Sequence, residues 1–104
     1  MTATPKGYVL SSDATPQPLF TATVPTFIHA ILVSSRADAD VTLDWTDDDN
    51  GDAVTDICYN YPSKANDSVT PIAGGFTLDT GDVIRGRAGA AATVHVTIVS
   101  EPQE

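Results

Sequence analysis

Short apolar runs that alternate with polar residues are the feature that most constrains the fold of this chain. Across residues 39–46, Val41, Leu43 and Trp45 fall on every second position, and residues 94–99 repeat the pattern. This period of two is that of a β-strand with one buried face. No window combines the i, i+3, i+4, i+7 apolar spacing of an amphipathic helix with capping residues. The pattern therefore predicts an all-β chain.

The spacing of these runs predicts the architecture. About eight of them, separated by proline, glycine, asparagine and aspartate, recur every 8–12 residues or so, which is typical of a β-sandwich or jelly roll. The length of 104 residues indicates one domain. Residues 1–18 are rich in threonine, serine and proline, with one apolar patch at Tyr8, Val9 and Leu10. We expect an extended N-terminal arm over residues 1–18 and a single antiparallel sandwich domain over residues 19–104.

The charge is strongly negative and unevenly distributed. Five basic and 14 acidic residues give a formal net charge of −9, and eight of the acids lie between Asp38 and Asp56. A surface of this kind repels phosphate backbones, so we expect no nucleic-acid partner. No apolar run approaches the ~20 residues needed to cross a bilayer, and the first residues lack the apolar stretch of a signal peptide. We therefore expect neither a membrane partner nor secretion.

The acidic stretch Asp47–Asp52 raises the possibility of a calcium site. If Gly51 occupies the sixth position of a helix–loop–helix calcium loop, the bidentate acid at the twelfth position would be Ile57, which cannot bind a cation. Asn50-Gly51 is instead a strong signal for a two-residue hairpin turn, because both residues tolerate positive φ. We expect a solvated hairpin and no metal site, with a weak cation site as the alternative.

The residues that carry catalytic chemistry are sparse and scattered. His29 and His95 are too few for a closed zinc site, although both fall in predicted strands and could meet across a sheet. Cys58 has no basic neighbour that would lower its pKa. No nucleophile, base and orienting group can be assembled from the sequence. We therefore expect no enzyme activity, no catalytic residue and no cofactor.

Two sets of residues are candidates for binding. Arg85 and Arg87 alternate on one strand face, where they could pair with nearby acids or contact an acidic partner. Trp45, Tyr59 and Tyr61 could stack on a sugar, but a domain of this size usually needs its aromatic residues in the core.

The order of several short motifs resembles that of a group of small tailed-phage virion proteins. The resemblance covers about residues 18–101. The motifs are a strand that ends in Thr-Val-Pro, a strand with Val-Thr-Leu, a Pro-to-Ser loop, a Leu-x-x-Gly-Asp-x-Ile turn and a Val-rich final strand. They are found at Thr23–Pro25, Val41–Leu43, Pro62–Ser68, Leu78–Ile84 and Val94–Val99. The resemblance implies a β-sandwich without catalytic residues that serves as a decoration, head-fibre, neck or tail accessory protein.

The first functional expectation is therefore a capsid decoration (cement) protein in the virion, assembled in the host cytoplasm. It would bind the major capsid protein or other virion proteins, and would form a homo-oligomer, with a trimer favoured. The patch Tyr8, Val9 and Leu10 would dock on a neighbour, and the face of Arg85 and Arg87 is the next candidate. The alternatives are a neck, tail or baseplate accessory protein and, from another class, a carbohydrate- or receptor-binding module.

Overall fold

The computed structural model describes residues 3–10, 15–65, 67–72, 75–89 and 93–103. These residues form nine β-strands and one 3-10 turn, without an α-helix among them, so the all-β prediction is confirmed. The strands are β1 (Thr4–Val9), β2 (Gln17–Thr21), β3 (Thr26–Ser35), β4 (Ala39–Asp47), β5 (Ala53–Ser63), β6 (Asp67–Ile72), β7 (Phe76–Leu78), β8 (Val83–Ala88) and β9 (Val94–Pro102); the 3-10 turn is Asp48–Asn50.

The strands pair in two antiparallel sheets. Sheet A has the order β1-β9-β3-β6, and sheet B has the order β2-β8-β4-β5. Strand β7 pairs with the first residues of β3, while β6 pairs with the last residues of the same strand. β6 and β7 therefore form one interrupted edge, which gives four strand positions in each sheet and agrees with the expected number of about eight.

The core contains the alternate residues of both sheets. In β9, positions 94, 96 and 98 are fully buried while their neighbours are half-exposed, and β8 alternates in the same way. This confirms the prediction, made from the alternating pattern, of which residues in the last strand face the core. The fully or almost fully buried apolar residues are Leu10, Ala22, Ile28, Ile31, Val33, Val41, Leu43, Leu78, Ile84, Ala88, Val94, Val96 and Ile98.

The N-terminal segment is part of both sheets, which differs from the expected separate arm over residues 1–18. All six residues of β1 pair with β9, and β2 begins at Gln17. Leu10 is fully buried, and its N–H donates to the Val94 carbonyl at 3.1 Å. A Cβ atom on Gly86 would lie 3.0 Å from Leu10 Cδ2, so the missing side chain makes room for this leucine. The boundary at residue 18 therefore does not follow the architecture.

The acidic stretch connects β4 and β5 as a hairpin, as expected, but with a different turn. Five residues, 48–52, separate the last paired positions, and the Asp52 N–H donates to the Asp47 carbonyl at 2.9 Å. Asn50 ends the 3-10 turn, while Gly51 (φ 66°) and Asp52 (φ 60°) adopt the left-handed conformation. The expected two-residue turn at Asn50-Gly51 is therefore wrong: the connection has five residues, and the left-handed pair is Gly51 and Asp52 because Asn50 belongs to the 3-10 turn.

The acidic hairpin is attached to the turn between β7 and β8. Asp82 is 2% exposed, and its carboxylate accepts hydrogen bonds from the backbone N–H groups of Asp79 and Asp48, each at 2.9 Å. Gly81 has a φ of 95°, which confirms the positive φ expected for this turn. These contacts fix the hairpin against the sandwich.

Each edge strand has a feature that interrupts a regular backbone ladder. β1 contains Pro5, β2 contains Pro18, and β6 contains Pro71. β5 has two register shifts against β4 and the left-handed residue Asn60 (φ 48°). Proline and bulges disfavour pairing with a further strand. Pairing with a further strand is therefore disfavoured at the edges of both sheets.

Candidate interaction surfaces

The apolar patch expected to bind a partner is divided between three environments. Leu10 lies in the core, and Tyr8 is half-buried against it, with Lys6 Nζ 5.7 Å from its ring centroid. Burial raises the pKa of Tyr8 above its ordinary value. Only Val9 faces outward, with 44% of its surface exposed. Since an alternating strand cannot present three consecutive side chains to one surface, the patch does not form a single docking site.

Arg85 forms an ion pair within the chain. Its Nε and one terminal nitrogen donate to the two carboxylate oxygens of Asp44 at 2.8 and 3.1 Å. The two residues lie opposite each other on β8 and β4, and only 8% of the Asp44 side chain is exposed. This bidentate pair neutralises a buried carboxylate. Of the two roles considered for Arg85, pairing with a nearby acid is the one observed.

Arg87 lies two residues further along the same face of sheet B. Its guanidinium carbon is 6.0 Å from the ring centroid of Tyr59, within the range of a cation–π contact. Arg87 also lines a shallow groove of about 190 Å³, together with Asp40, Thr42, Asn60, Ala88 and Gly89. The two predicted arginines therefore have different surroundings, because one pairs with a carboxylate and the other lines a groove.

The three aromatic residues considered as a sugar platform do not form one. Trp45 packs against the core, with its ring centroid 6.5 Å from that of Phe76. Tyr59, in contrast, is 64% exposed and lies beside Arg87 on the outer face. The sequence places Ile57 and Tyr59 on one face, but Ile57 packs against the core. The register shifts of β5 turn the side chains of Ile57 and Tyr59 to different sides of the sheet. An alternating sequence pattern does not reveal such shifts.

Sheet A has nine adjacent outward positions without an acidic or strongly basic residue, although its strands also contain Lys6 in β1 and Glu101 near the end of β9. The register aligns three outward positions each from β1, β9 and β3, and all nine are exposed or half-exposed. We refer to these nine as the outer face of sheet A. They are Pro5, Gly7, Val9, Ala30, Leu32, Ser34, His95, Thr97 and Val99.

This face contrasts with sheet B in its charge. The eight acids between Asp38 and Asp56 lie on or next to β4, β5 and their hairpin. On the outer face of sheet A, Val9 and Leu32 expose 44% and 38% of their surface. The sequence shows the acidic cluster directly, but the uncharged face is visible only after β1, β9 and β3 are placed side by side.

The residues considered for metal binding or catalysis do not come together in the fold. His29 Nε2 lies 3.0 Å from a Glu101 carboxylate oxygen, while His95 lies opposite Ser34, so the two histidines do not meet. Burial is the main cause that raises the pKa of the Cys58 thiol; the charge of Asp56 adds to it, and a backbone hydrogen bond opposes it. Within the described ranges, no three histidine, cysteine or acidic side chains are grouped to hold a metal ion.

The described part of the chain has no helix long and apolar enough to span a membrane. Comparison with protein-family models, with curated proteins and with solved structures finds no match to this chain. The surfaces described above, first of all the outer face of sheet A, are therefore the basis for a functional assignment.

Proposed function

We propose that the chain is a non-catalytic structural protein of a tailed-phage virion, most simply a decoration (cement) protein of the head. The motif order that resembles small virion proteins supports this proposal. The strand order supports it, because β1-β9-β3-β6 and β2-β8-β4-β5 are compatible with the order of an eight-stranded jelly roll when β6 and β7 are counted as one strand. Jelly rolls are common in viral capsid proteins, and also in lectins.

The observation that carries the proposal is the uncharged outer face of sheet A. Cores of protein interfaces are depleted in charged residues, because each buried ion must be desolvated. In a chain with a net charge of −9, nine adjacent outward positions without an aspartate, glutamate, lysine or arginine offer a surface with a low desolvation cost; the nearby Glu101 of β9 is paired with His29. The acidic sheet B would then face solvent, where its field keeps crowded particles soluble.

The mode of attachment follows from the edge strands. Three edges contain a proline, and β5 has bulges, so pairing with a neighbouring strand is disfavoured on each of them. We therefore propose attachment through side chains of the outer face of sheet A to the capsid lattice. The homotrimer that the resemblance favours would form in the same way, by contacts between side chains.

The number of copies in each particle tests this assignment. Purified particles of the phage that encodes the chain would be analysed by quantitative mass spectrometry against the major capsid protein. Copies that scale with the capsid subunits support a decoration protein. A small fixed number per particle would favour the neck, tail or baseplate alternative, and absence from purified particles would overturn a virion role.

A further inference from the structure

We propose that a second groove, at the margin of the sandwich, binds a lysine or arginine side chain of a partner protein. This margin groove lies between β4 and β5 of sheet B and β7 of sheet A, and its volume is about 360 Å³. It is lined by Trp45, Asp56, Ile57, Gly75, Phe76 and Thr77. None of these six residues belongs to the outer face of sheet A. Failure of this proposal would therefore leave the virion assignment intact, and the reverse is also true.

Two aromatic side chains reach the margin groove from opposite sheets. Trp45 lies beside the buried Ile84 in sheet B, so its ring points toward the space between the sheets. Phe76 lies beside the buried Ile28 in sheet A, and its ring points into the same space. Both residues are only half-buried, at a place where the three residues of β7 form an interrupted edge. The margin groove therefore gives a ligand access to an aromatic surface.

The arrangement of the two rings suits a cation on an apolar stem. Their centroids are 6.5 Å apart, and their planes are tilted by 39°. The negative face of an aromatic ring attracts an ammonium or guanidinium group within about 6 Å, and tryptophan does so most strongly. Ile57 adds an apolar contact in the same groove. The hydrocarbon stems of lysine and arginine pack along such surfaces while their charged ends stay near polar groups.

The charge around the margin groove favours a cation over other ligands. Asp56 is the one acidic residue among the six lining residues, and none of the six is basic. Residues 37–63, which include β4 and β5, contain eight acids and no histidine, lysine or arginine, a formal charge of −8. Such a field attracts a cation and repels a carboxylate or a phosphate. A basic side chain therefore matches the margin groove in its charge as well as in its apolar stem.

The indole of Trp45 provides the test, because the chain contains one tryptophan. Full-length, ¹⁵N-labelled protein would be titrated with Nα-acetyl-lysine methylamide and with the corresponding arginine compound. The norleucine compound is the control, since it has the apolar stem without the charge. We expect a saturable shift of the indole N–H with a basic compound, with a Kd on the order of millimolar, and binding of norleucine at least about fivefold weaker.

Two results of this titration would overturn the proposal. One is the absence of a saturable shift with both basic compounds, and the other is an equal affinity for norleucine. A further titration with n-butylammonium separates a side chain of a partner from a free amine. Equal or weaker binding of n-butylammonium than of the lysine compound supports a side chain, whereas tighter binding would contradict that source.

Variants of the margin groove separate the aromatic contact from a general surface effect. Phe76→Leu should weaken binding of the lysine compound at least about threefold, because leucine fills similar space without an aromatic face. Phe20→Leu is the matched control, since Phe20 is also half-buried against the core but lies on β2 and not in the groove. Asp56→Asn, at an exposed position, should also lower the affinity. Unchanged shifts of distant amides would show that each variant is folded, and wild-type affinity in both groove variants would contradict the proposal.

Discussion

Two glycines show how the backbone conformation of a residue and the space around it determine which substitutions the chain tolerates. Gly81 has a φ of 95°, and a Cβ atom there would lie 2.7 Å from Asp48 Cγ. Gly81→Val should therefore lower the free energy of unfolding by about 2 kcal/mol or more. A Cβ atom on Gly7 meets nothing within 4 Å, so Gly7→Val in β1 should be neutral or slightly stabilising. Urea denaturation compares the two, and the reverse order would show that the turn is misassigned.

Replacing only one partner of the ion pair between Asp44 and Arg85 should lower the stability of the protein. Arg85→Met leaves the carboxylate of Asp44 buried without its partner, which should destabilise the protein by about 3 kcal/mol. Replacing both residues, as Asp44→Leu and Arg85→Met, should recover most of that loss, because no buried charge remains. Chemical denaturation of the single and double variants provides the measurement. A double variant less stable than Arg85→Met alone would contradict this account of the pair.

The half-buried thiol of Cys58 should make stability fall at high pH. Because burial raises its pKa above 9.0, the unfolded chain loses the thiol proton at a lower pH than the folded chain does. The stabilisation is therefore complete below the unfolded pKa and is lost as the pH rises through the folded pKa. Denaturation of the wild type and Cys58→Ala should diverge above pH 9.0, with the wild type losing more. Parallel curves across that range would show that the surroundings of Cys58 do not raise the pKa of its thiol.

At the scale of elements, strands with one buried face could be predicted and the edge strands could not. The alternation of β9 assigned its inward residues correctly, because burial on one face imposes a period of two. In β4, Val41 and Leu43 are buried as expected, but Thr42, Asp44 and Thr46 on the other face are buried as well, which the alternation did not predict. β1 has no such pattern, since both of its faces are largely exposed, and its pairing with β9 depends on residues some 90 positions away. The outward position of Tyr59 was also missed, because it depends on the bulged conformation at Asn60.

Substitution of Leu10 tests whether β1 and the residues after it belong to the sandwich. Its side chain is fully buried, so Leu10→Ala should cost about 2–5 kcal/mol of stability. The neighbouring Val9 is 44% exposed, and Val9→Ala should change stability by less than about 0.5 kcal/mol. Thermal and chemical denaturation of both variants would be compared. A neutral Leu10→Ala would restore the view that this segment is an arm outside the core.

At the scale of the molecule, most of the acidic residues lie on one of the two sheets. The acids are concentrated on sheet B and its hairpin, while the outer face of sheet A has neither acidic nor strongly basic residues at its nine positions. The acidic cluster could be predicted from composition along the chain. The uncharged face could not, because its residues come from β1, β3 and β9, and only the register of the sheet brings them together.

Binding to the particle tests most directly whether the outer face of sheet A is the attachment surface. Particles that lack the protein would be mixed with the wild type, Leu32→Asp or Val54→Asp, and the bound copies would be counted after sedimentation. Leu32 (38% exposed) lies on that face and Val54 (53%) lies on sheet B, so the two changes add the same charge to opposite sheets. Leu32→Asp should reduce affinity at least about tenfold, with Val54→Asp unchanged. Equal binding of Leu32→Asp and the wild type would contradict attachment through the outer face of sheet A.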